Sequence, residues 1–512
     1  MSIMVQQKLR EKNENDKLSN NYLINWDDKK NNKRKRAFKC LLLFLSILPA
    51  FLLLSCQYDA GKVKETEEEG GVKSMASQIK INYDTTYQTV EGFGASGCWW
   101  AQDVGGWENI SEIMEYLYDN EKGIGLNIYR YNIGAGGPTK TQDPWRRTQT
   151  VEVSPGVYDL ERDKNAITAL KEAVKYGADT VVLFANSPPA RLTKSGYTSG
   201  EGSGKSNLAE GKEQEFAKYL VDITELILNE GIPVKYLSPI NEPQWDWKSG
   251  QEGCHYEPDE VIKVAREVVL ELEKRNLPVK ISIPESGKWY DEKYTMTLYK
   301  KVMDDEVLSR AIDHWAVHSY WSDEKDKKKT AIYFSQIENM VPLHQTEWCE
   351  MVNGRDMGMD AALVMAKTIH EDMTILSVAS WCHWLAVSCY DYRDGLIYVD
   401  IPSHKYKMAK RGWALGNYAK FIEHGYKRID AGCEDNEILV SAYVSPKEDK
   451  TVIVAINPTN SSKTISFSDL KGKNINVYET SDNYNCELVG TISKTETWNM
   501  PSRSVTTFVV SK

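Results

Sequence analysis

The sequence lacks the features of several protein classes. It contains no Cys-x-x-Cys pair among its nine cysteines, so neither a zinc ribbon nor a thioredoxin-like redox motif is supported. It has no excess of positive charge: 63 Lys and Arg stand against 73 Asp and Glu, and the net charge of −10 argues against a nucleic-acid partner. It shows no repeat of fixed period and no collagen-like or coiled-coil composition. What it does contain is 41% hydrophobic residues in a chain of 512, enough for a large core.

The sequence also has no apolar run as long as the roughly 20 residues that a transmembrane helix needs. The run Leu41–Leu54 has 14 residues and follows the basic stretch Lys33–Lys39. Positive charge followed by a short apolar stretch is typical of a secretory signal. The run ends in Leu53–Cys56, which resembles a bacterial lipobox, where the cysteine becomes the lipidated first residue of the mature protein.

These features predict how the chain begins and where the protein is found. We expect residues 1–55 to be a leader, Cys56 to be lipidated, and the glutamate-rich residues 56–78 to be a flexible tether. A plain membrane anchor is the alternative. The predicted location is the bacterial cell envelope, at the outer membrane and cell surface, with the lipid anchor as the only contact with a membrane.

The middle of the chain alternates strand-like and helix-like segments eight times, which predicts an α/β fold with a parallel sheet. A length of about 300 residues fits a (β/α)8 TIM barrel, which we place at residues 79–425. The predicted barrel strands are Val90–Ala95, Leu126–Ile133, Thr180–Asn186, Pro233–Asn241, Val279–Glu285, Ala311–Tyr320, Val341–Trp348 and Ser377–Ala386.

From about Ile429 onwards the pattern changes to short alternating runs separated by turn residues. This pattern predicts a C-terminal β-sandwich side domain at residues 426–512. The strand-like run 79–90, which precedes the barrel, is a candidate partner for that side domain. The lysine run Lys325–Lys329 is predicted to be a solvated loop.

Three carboxylates follow predicted barrel strands directly: Glu242, Glu285 and Glu347. Active sites of this barrel class lie at the C-terminal ends of the strands. Cleavage of a glycosidic bond needs two carboxyl groups there, one protonated to donate to the leaving oxygen and one ionised to attack the sugar or activate water. The alternative for any single carboxylate is a buried salt bridge. In Asn241-Glu242-Pro243 an amide stands beside the carboxyl group, where it can bond a substrate hydroxyl.

The sequence resembles glycoside hydrolase family 30, a retaining family of clan A with a barrel and a side β-sandwich. The matching segments occur in family order and span about residues 79–512. They are Glu91–Ser96, Arg130–Gly136, Asn186–Pro189, Asn241–Pro243, His318–Tyr320, Gln345–Trp348 and Pro501–Thr507.

The resemblance implies roles for individual residues. Glu242 would be the acid/base and Glu347 the nucleophile, while Glu285 would be a subsite or structural residue. Arg130, Asn241 and Tyr320 would orient the nucleophile and the sugar beside the cut. The further candidates for substrate binding are Asn132, Asn186, His318, Trp348, Trp381 and Trp384, the three tryptophans being a sugar platform or simply core.

Two departures from the family pattern bear on specificity. Many members have an aromatic residue and a Met after the Asn186–Pro189 segment, where this chain has Ala190-Arg191-Leu192. The insertion Gln251–Cys254, which follows Trp245 and Trp247, resembles the endo-β-1,6-galactanase branch more than the glucosylceramidase or xylanase branches.

We predict no metal and no cofactor. His314 and His318 could be combined with Glu347 as ligands, but four residues apart on a strand the two histidines would be roughly 13 Å from each other. The glycine run Gly134–Gly137 has no following helix with an acidic partner, which argues against a dinucleotide site.

The sequence thus predicts an enzyme that hydrolyses a β-linked polysaccharide with retention of configuration. The preferred substrate is the β-1,6-galactan of arabinogalactan side chains, with β-1,6-glucan and xylan as alternatives. A surface glycan-binding lipoprotein on a catalytically inactive barrel is the alternative from another class. A retaining mechanism requires the carboxyl groups of Glu242 and Glu347 to lie about 5–5.5 Å apart.

Overall fold

A computed structural model describes residues 76–511 of the protein. The predicted leader, the predicted lipidation site Cys56 and most of the predicted tether lie outside the described residues. Within residues 76–511, none of the helices combines the length and the apolar character needed to cross a membrane. The seven cysteines of this part of the chain are all free thiols.

The strands are numbered in chain order. They are β1 Ser77–Thr89, β2 Gly92–Ser96, β3 Ile128–Asn132, β4 Glu152–Ser154, β5 Val157–Tyr158, β6 Thr180–Phe184, β7 Val234–Ser238, β8 Lys280–Ile281, β9 Pro284–Ser286, β10 Trp315–Val317, β11 Leu343–Gln345, β12 Ser380–Ser388, β13 Gly395–Asp400 and β14 Lys405–Met408. The later strands are β15 Lys427–Cys433, β16 Leu439–Val444, β17 Lys450–Asn457, β18 Lys463–Ser468, β19 Asn474–Thr480, β20 Asn485–Ser493, β21 Trp498–Met500 and β22 Ser504–Ser511.

A curled parallel sheet forms the first half of the molecule. Its strands pair in the order β8-β7-β6-β3-β2-β12-β11-β10-β9. Because β8 and β9 belong to one chain segment, the two ends of the sheet meet in that segment. β2, β3 and β6 are buried at every position, as expected for strands covered on both faces. The structure confirms a TIM-like barrel, and each predicted barrel strand overlaps an observed one, although β2 and β12 extend one and two residues beyond their predicted ends.

The barrel strands are connected through amphipathic helices that cover the sheet. Helix Pro258–Lys274 shows the pattern: Val261, Val264, Ala265, Val268 and Leu272 are buried at i, i+3, i+4 spacing. It begins with a proline and a capping box between Glu257 and Glu260. The other helices with eight or more residues are Ile110–Tyr118, Lys164–Tyr176, Glu213–Asn229, Thr295–Asp304, Glu324–Ser335, Met359–Glu371 and Lys410–Ala419.

The prediction of a solvated loop at Lys325–Lys329 is wrong, because these residues lie inside helix Glu324–Ser335. The side chain of Asp323 caps the helix, and Glu324 pairs with Lys328 one turn later. Lys327 is buried and forms ion pairs with Asp372 and Glu371. The polar sequence around Lys327 gave no indication that this side chain is buried.

A second sheet consists of β1 and the strands from β15 onwards. Its nine strands pair in the order β20-β19-β22-β17-β16-β15-β1-β18-β21. β1, at the start of the described chain, pairs antiparallel with β15 and parallel with β18. Ile79 and Ile81 of β1 are buried among apolar side chains of the later strands. The chain therefore has a second sheet domain built from both ends of residues 76–511.

Candidate active site

A cleft of about 500 Å³ opens where the barrel strands end at their carboxyl termini. Its lining residues come from the segments that follow β2, β3, β7, β10 and β11, and from β12 and the loop after it. They are Trp99, Arg146, Asn241, Glu242, Trp245, Trp247, Gln251, Tyr320, Trp321, Glu347, Cys349, Met351, Asn353, Trp384, Tyr390, Asp391, Tyr392 and Asp394. Both predicted catalytic carboxylates are therefore in the same cleft.

Glu242 is held at the cleft by its backbone. Its N–H donates to the carbonyl oxygen of Glu285 at 2.9 Å, and its own carbonyl accepts from Trp245 N at 3.0 Å and from Trp247 Nε1 at 3.3 Å. It has a φ of 40°, in the left-handed region that a non-glycine residue occupies only where its surroundings enforce it. The carboxyl group therefore projects from a turn that several neighbours fix.

Glu347 follows β11 and is held by two residues for which the family resemblance implies this role. Arg130 Nη1 donates to Glu347 Oε2 at 2.9 Å, and the Tyr320 hydroxyl donates to Oε1 at 3.2 Å. Burial raises the pKa of Glu347, the positive charges of His318 and Arg130 lower it, and a negative charge on Glu242 raises it further. The ionisation of Glu347 is thus tied to that of Glu242.

His318 connects the carboxylates. Its Nδ1 lies 3.0 Å from Glu242 Oε1 and 3.7 Å from Glu347 Oε1, and its Nε2 lies 3.1 Å from Glu285 Oε2. Burial lowers the pKa of His318, but the three surrounding carboxylates raise it more, to about 10. His318 is therefore an imidazolium with both ring nitrogens used as donors.

One oxygen of Glu242 and one of Glu347 lie within 4.8 Å of each other and of a ring nitrogen of His318. Such a set of three side chains could hold a metal ion in other proteins. A ring nitrogen that carries a proton has no lone pair for a metal, so the protonated His318 does not fit that role. His314, the other histidine considered as a metal ligand, faces away from the cleft, and its Nε2 lies 3.0 Å from Ser282 Oγ.

Glu285 is fully buried beneath the cleft and does not line it. It accepts hydrogen bonds from His318, Thr346 and Ser282, and Arg130 Nη2 lies 3.7 Å from its Oε2. Burial raises its pKa, but the His318 hydrogen bond and the Arg130 charge lower it more, to about 2. The structure thus gives Glu285 a supporting position, one of the two that the resemblance left open.

The remaining predicted substrate-binding residues take three different positions. Trp384 lines the cleft and packs edge-on against Trp99, with ring centroids 5.3 Å apart. Asn132 and Asn186 are buried behind the lining and bond each other at 3.1 Å. Arg130 and His318 also lie behind the lining, where they contact the carboxylates of Glu347 and Glu242. These four residues contact or support the cleft walls and are not part of its lining.

The prediction that Trp381 binds substrate is wrong. Its side chain is fully buried and its Nε1 donates to Asp372 Oδ2 at 2.9 Å, so it is core. Trp348 is mostly buried and packs against Trp381 and His383 outside the cleft lining, and its contact with substrate stays a prediction. Alternation along β12 turns the Trp381 ring towards the core, which the apolar sequence around it did not show.

Sequence reasoning missed several lining residues. Arg146 lies in the long connection after β3 and stacks between Trp99 and Tyr390, with its guanidinium carbon 4.7 and 4.8 Å from the two ring centroids. Nothing in the sequence around Arg146 indicates this position. Trp321 could have been found, because it directly follows the recognised segment His318–Tyr320.

A buried carboxylate fastens the loop that carries Trp245 and Trp247. Glu252 Oε1 accepts from the Ala135 N–H at 3.1 Å and also from the Thr148 hydroxyl, both in the connection after β3. Glu252 is almost completely buried. Burial raises its pKa to about 8, although these donors favour the ionised form. The predicted insertion Gln251–Cys254 is thus anchored to a neighbouring loop.

The burial of Glu252 predicts a loss of stability with rising pH. Between the ordinary carboxyl value near 4.5 and about 8, the folded protein binds the Glu252 proton more tightly than the unfolded chain, so the free energy of unfolding falls as pH rises. We expect Glu252→Gln to reduce this fall between pH 5 and pH 8 by about 2–4 kcal/mol. Chemical denaturation at several pH values measures it. Glu161→Gln, at an exposed side chain, is the matched control and should leave the slope unchanged.

Gly287 gives a second prediction, because it borders Glu242. A Cβ at this position would lie 2.5 Å from Gln244 Nε2 and 3.1 Å from Glu242 Oε1. Gly287→Ala should push the carboxyl group aside and lower kcat by about 10- to 100-fold while the fold is retained. Gly432→Ala is the control, since a Cβ there meets nothing within 4 Å. Unchanged kcat in Gly287→Ala would show that the exact placement of Glu242 is unimportant.

Comparisons with known proteins agree with this geometry. The model of O-glycosyl hydrolase family 30 matches residues 76–307 and 315–398. The chain is 24% identical to the glucuronoxylanase XynC of Bacillus subtilis (strain 168), over 85% of this chain and 92% of that protein. It is 23% identical to an endo-beta-1,6-galactanase of Hypocrea rufa, over 76% of this chain and 82% of that protein.

The fold has solved counterparts. The crystal structure of a conserved exported protein from Bacteroides fragilis superimposes with a TM-score of 0.76 at 24% identity, over 85% of this chain and all of that one. The family model covers well over half of the chain, and a cleft with two facing carboxylates is where a glycosidase needs them. The chain therefore belongs to glycoside hydrolase family 30 and is a glycosidase that acts on polysaccharides.

Proposed function

We propose that the protein cleaves β-glycosidic bonds by double displacement, with Glu347 as nucleophile and Glu242 as acid/base. The observation that carries this proposal is the separation of the two carboxylates, an oxygen of each within 4.8 Å of the other in one cleft. Retaining glycosidases have their carboxyl groups about 5–5.5 Å apart, whereas inverting ones leave about 6.5–9.5 Å for a water molecule. Nearest oxygens within 4.8 Å of each other are compatible with the retaining separation, which supports retention.

The two steps follow from the geometry. In the first, a Glu347 oxygen attacks the anomeric carbon, the bond to the glycosidic oxygen breaks, and that oxygen takes the proton of Glu242. In the second, Glu242 removes a proton from water, the water oxygen attacks the same carbon, and the bond to Glu347 breaks. Arg130 and Tyr320, which donate to the two oxygens of Glu347, hold the carboxylate for attack.

The charges of the cluster are consistent with one proton shared between Glu242 and Glu347. Two buried cations, Arg130 and His318, face three carboxyl groups, Glu242, Glu285 and Glu347. Uncompensated buried charge is costly, so the cluster is balanced when one carboxyl group carries a proton. Glu285 is ionised, Glu347 accepts from Arg130 and Glu242 accepts from His318, so the remaining proton belongs to the Glu242–Glu347 pair, and the first step requires it on Glu242.

We propose β-1,6-galactan, as in arabinogalactan side chains, as the substrate, cleaved internally. The likeness to the endo-beta-1,6-galactanase and the anchored loop that bears Trp245 and Trp247 support this choice. Xylan is the second candidate, because the glucuronoxylanase is similar over more of the chain. β-1,6-Glucan is the third candidate, from the sequence resemblance and from the likeness in fold to a solved endo-beta1,6-glucanase.

One incubation series tests these proposals. The protein without residues 1–55 is incubated with β-1,6-galactan, glucuronoxylan and β-1,6-glucan, and products are sized by chromatography. Oligosaccharides from galactan alone would support the proposed substrate, and release of xylo- or gluco-oligosaccharides instead would overturn it. Proton NMR of the first products gives the stereochemistry: an initial α anomer would overturn retention.

We also infer that the protein is lipid-anchored at the bacterial cell surface. The lipobox-like Leu53–Cys56 after the apolar run supports this inference. Metabolic labelling with a fatty acid and cell fractionation test it. A labelled, membrane-bound wild type and an unlabelled Cys56→Ala variant are expected; an unlabelled wild type would refute the anchor.

A further inference from the structure

Two tryptophans from different loops form a parallel pair at the rim of the cleft. Trp245 lies three residues after Glu242, and Trp321 directly follows Tyr320. Their ring centroids are 5.4 Å apart and their planes differ by 8°. Trp245 is 48% exposed and Trp321 50% exposed, and no other tryptophan of residues 76–511 is left exposed to this degree. A large apolar surface held open beside a cleft indicates a binding surface.

The pair lies on the side of the cleft where Glu242 stands. A Cβ on Gly287 would be 3.1 Å from Glu242 Oε1 and 3.2 Å from the ring of Trp321, so this ring is close to the carboxyl group. The group that donates its proton to the leaving oxygen faces the part of the substrate that departs. The indoles beside Glu242 therefore border the leaving-group side.

Free hydrogen-bond acceptors accompany the two rings. Among the described residues, Asn241 Oδ1 and Gln244 Oε1 are buried side-chain oxygens without a hydrogen-bond donor. Both flank Glu242 in sequence, and Gln244 immediately precedes Trp245. Buried acceptors of this kind are normally paired, and a sugar hydroxyl is one donor that could pair with them.

We propose that Trp245 and Trp321 form a subsite for a pyranose ring in the leaving portion of the substrate, beside the cut bond. This proposal rests on the proposed function, because it takes Glu242 as the proton donor. A β-linked pyranose presents a face of C–H groups, and the negative π face of an indole attracts such a face. Because the rings already stack on each other, little side-chain freedom is lost when the sugar binds.

The test compares two substrates that differ in the leaving group. One is the tetrasaccharide of the glycan that the wild type cleaves, β-1,6-galactotetraose on the proposed specificity. The other is β-1,6-galactobiosyl fluoride, whose leaving group has no ring. For each of Trp245→Ala and Trp321→Ala we expect the ratio of kcat/KM for the tetrasaccharide to kcat/KM for the fluoride to fall about 3- to 10-fold.

Tyr484→Ala, at a tyrosine of similar exposure in the second sheet domain, is the matched control and should keep the wild-type ratio. A wild-type ratio in both tryptophan variants and in the double variant would overturn the subsite. Equal losses on both substrates would also overturn it, because the tryptophans would then act only by holding the loops. No turnover of either substrate by the wild type would instead refute the proposed galactanase, so the two failures can be told apart.

Discussion

Glu347→Ala is expected to lower kcat on the polysaccharide by about 10⁴-fold or more, because no group remains to attack the anomeric carbon. The space left by the side chain faces Arg130 Nη1 and His318 Nδ1, which lie 2.9 and 3.7 Å from the native carboxylate. A small anion should enter this cationic site. With azide and a 2,4-dinitrophenyl β-glycoside we expect restored turnover and an α-glycosyl azide, identified by proton NMR.

The control for this experiment is Glu350→Ala. Glu350 is three residues further along, pairs with Arg393 at 2.7 Å and does not line the cleft, so kcat should stay within a few-fold of the wild-type value. Near-normal turnover in Glu347→Ala, or formation of a β-glycosyl azide, would contradict the assignment of Glu347 as nucleophile. A melting curve distinguishes loss of chemistry from loss of fold.

Glu242→Ala is expected to lower kcat on the polysaccharide by about 10²- to 10⁴-fold, since a sugar alkoxide is a poor leaving group without a proton donor. A 2,4-dinitrophenolate leaves without protonation, so bond cleavage in that substrate should be much less affected. Azide should attack the glycosyl-enzyme from the side of Glu242, displace Glu347 and give a β-glycosyl azide.

The two alanine variants check each other, because they should yield azides of opposite configuration from one substrate. A loss of the same size on the polysaccharide and the dinitrophenyl glycoside would show that Glu242 supports binding or structure and not proton transfer. The same α-azide from both variants would contradict the division of roles, whatever the size of the losses.

The sequence predicted those parts of the site that depend on the ends of barrel strands. Glu242 and Glu347 are 105 positions apart, yet parallel strands deliver both to one rim of the barrel, and Arg130 reaches Glu347 from a third strand. The alternation of strands and helices could be predicted from the sequence because each barrel strand is a short apolar run covered on both faces, whereas each helix is covered on one face. Most strands were predicted too long at their ends, since residues such as Tyr320 and Glu347, which line the cleft, lie beyond the ends of β10 and β11.

The loops were not predictable in the same way. Arg146 stacks on Tyr390, which is 244 positions away, and the contact depends on where two long connections lie in space. The direction of an aromatic side chain at a strand end was also open: Trp384 faces the cleft while Trp381, three residues earlier, faces the core. Local sequence gives the kind of side chain at these positions, whereas burial is decided by tertiary contacts.

β1 pairs with two strands that are distant from it in sequence, so a shortened protein that lacks β1 loses contacts with both. β1 lies between β15 and β18 in the sheet, and Ile79 and Ile81 are buried in its apolar core. A fragment that starts at Gly92 keeps every barrel strand. It would, however, leave the edges of β15 and β18 unpaired and the apolar space of Ile79 and Ile81 empty. Unprotected edges of this kind recruit strands from other molecules, so such a fragment should precipitate where one starting at residue 76 stays dispersed.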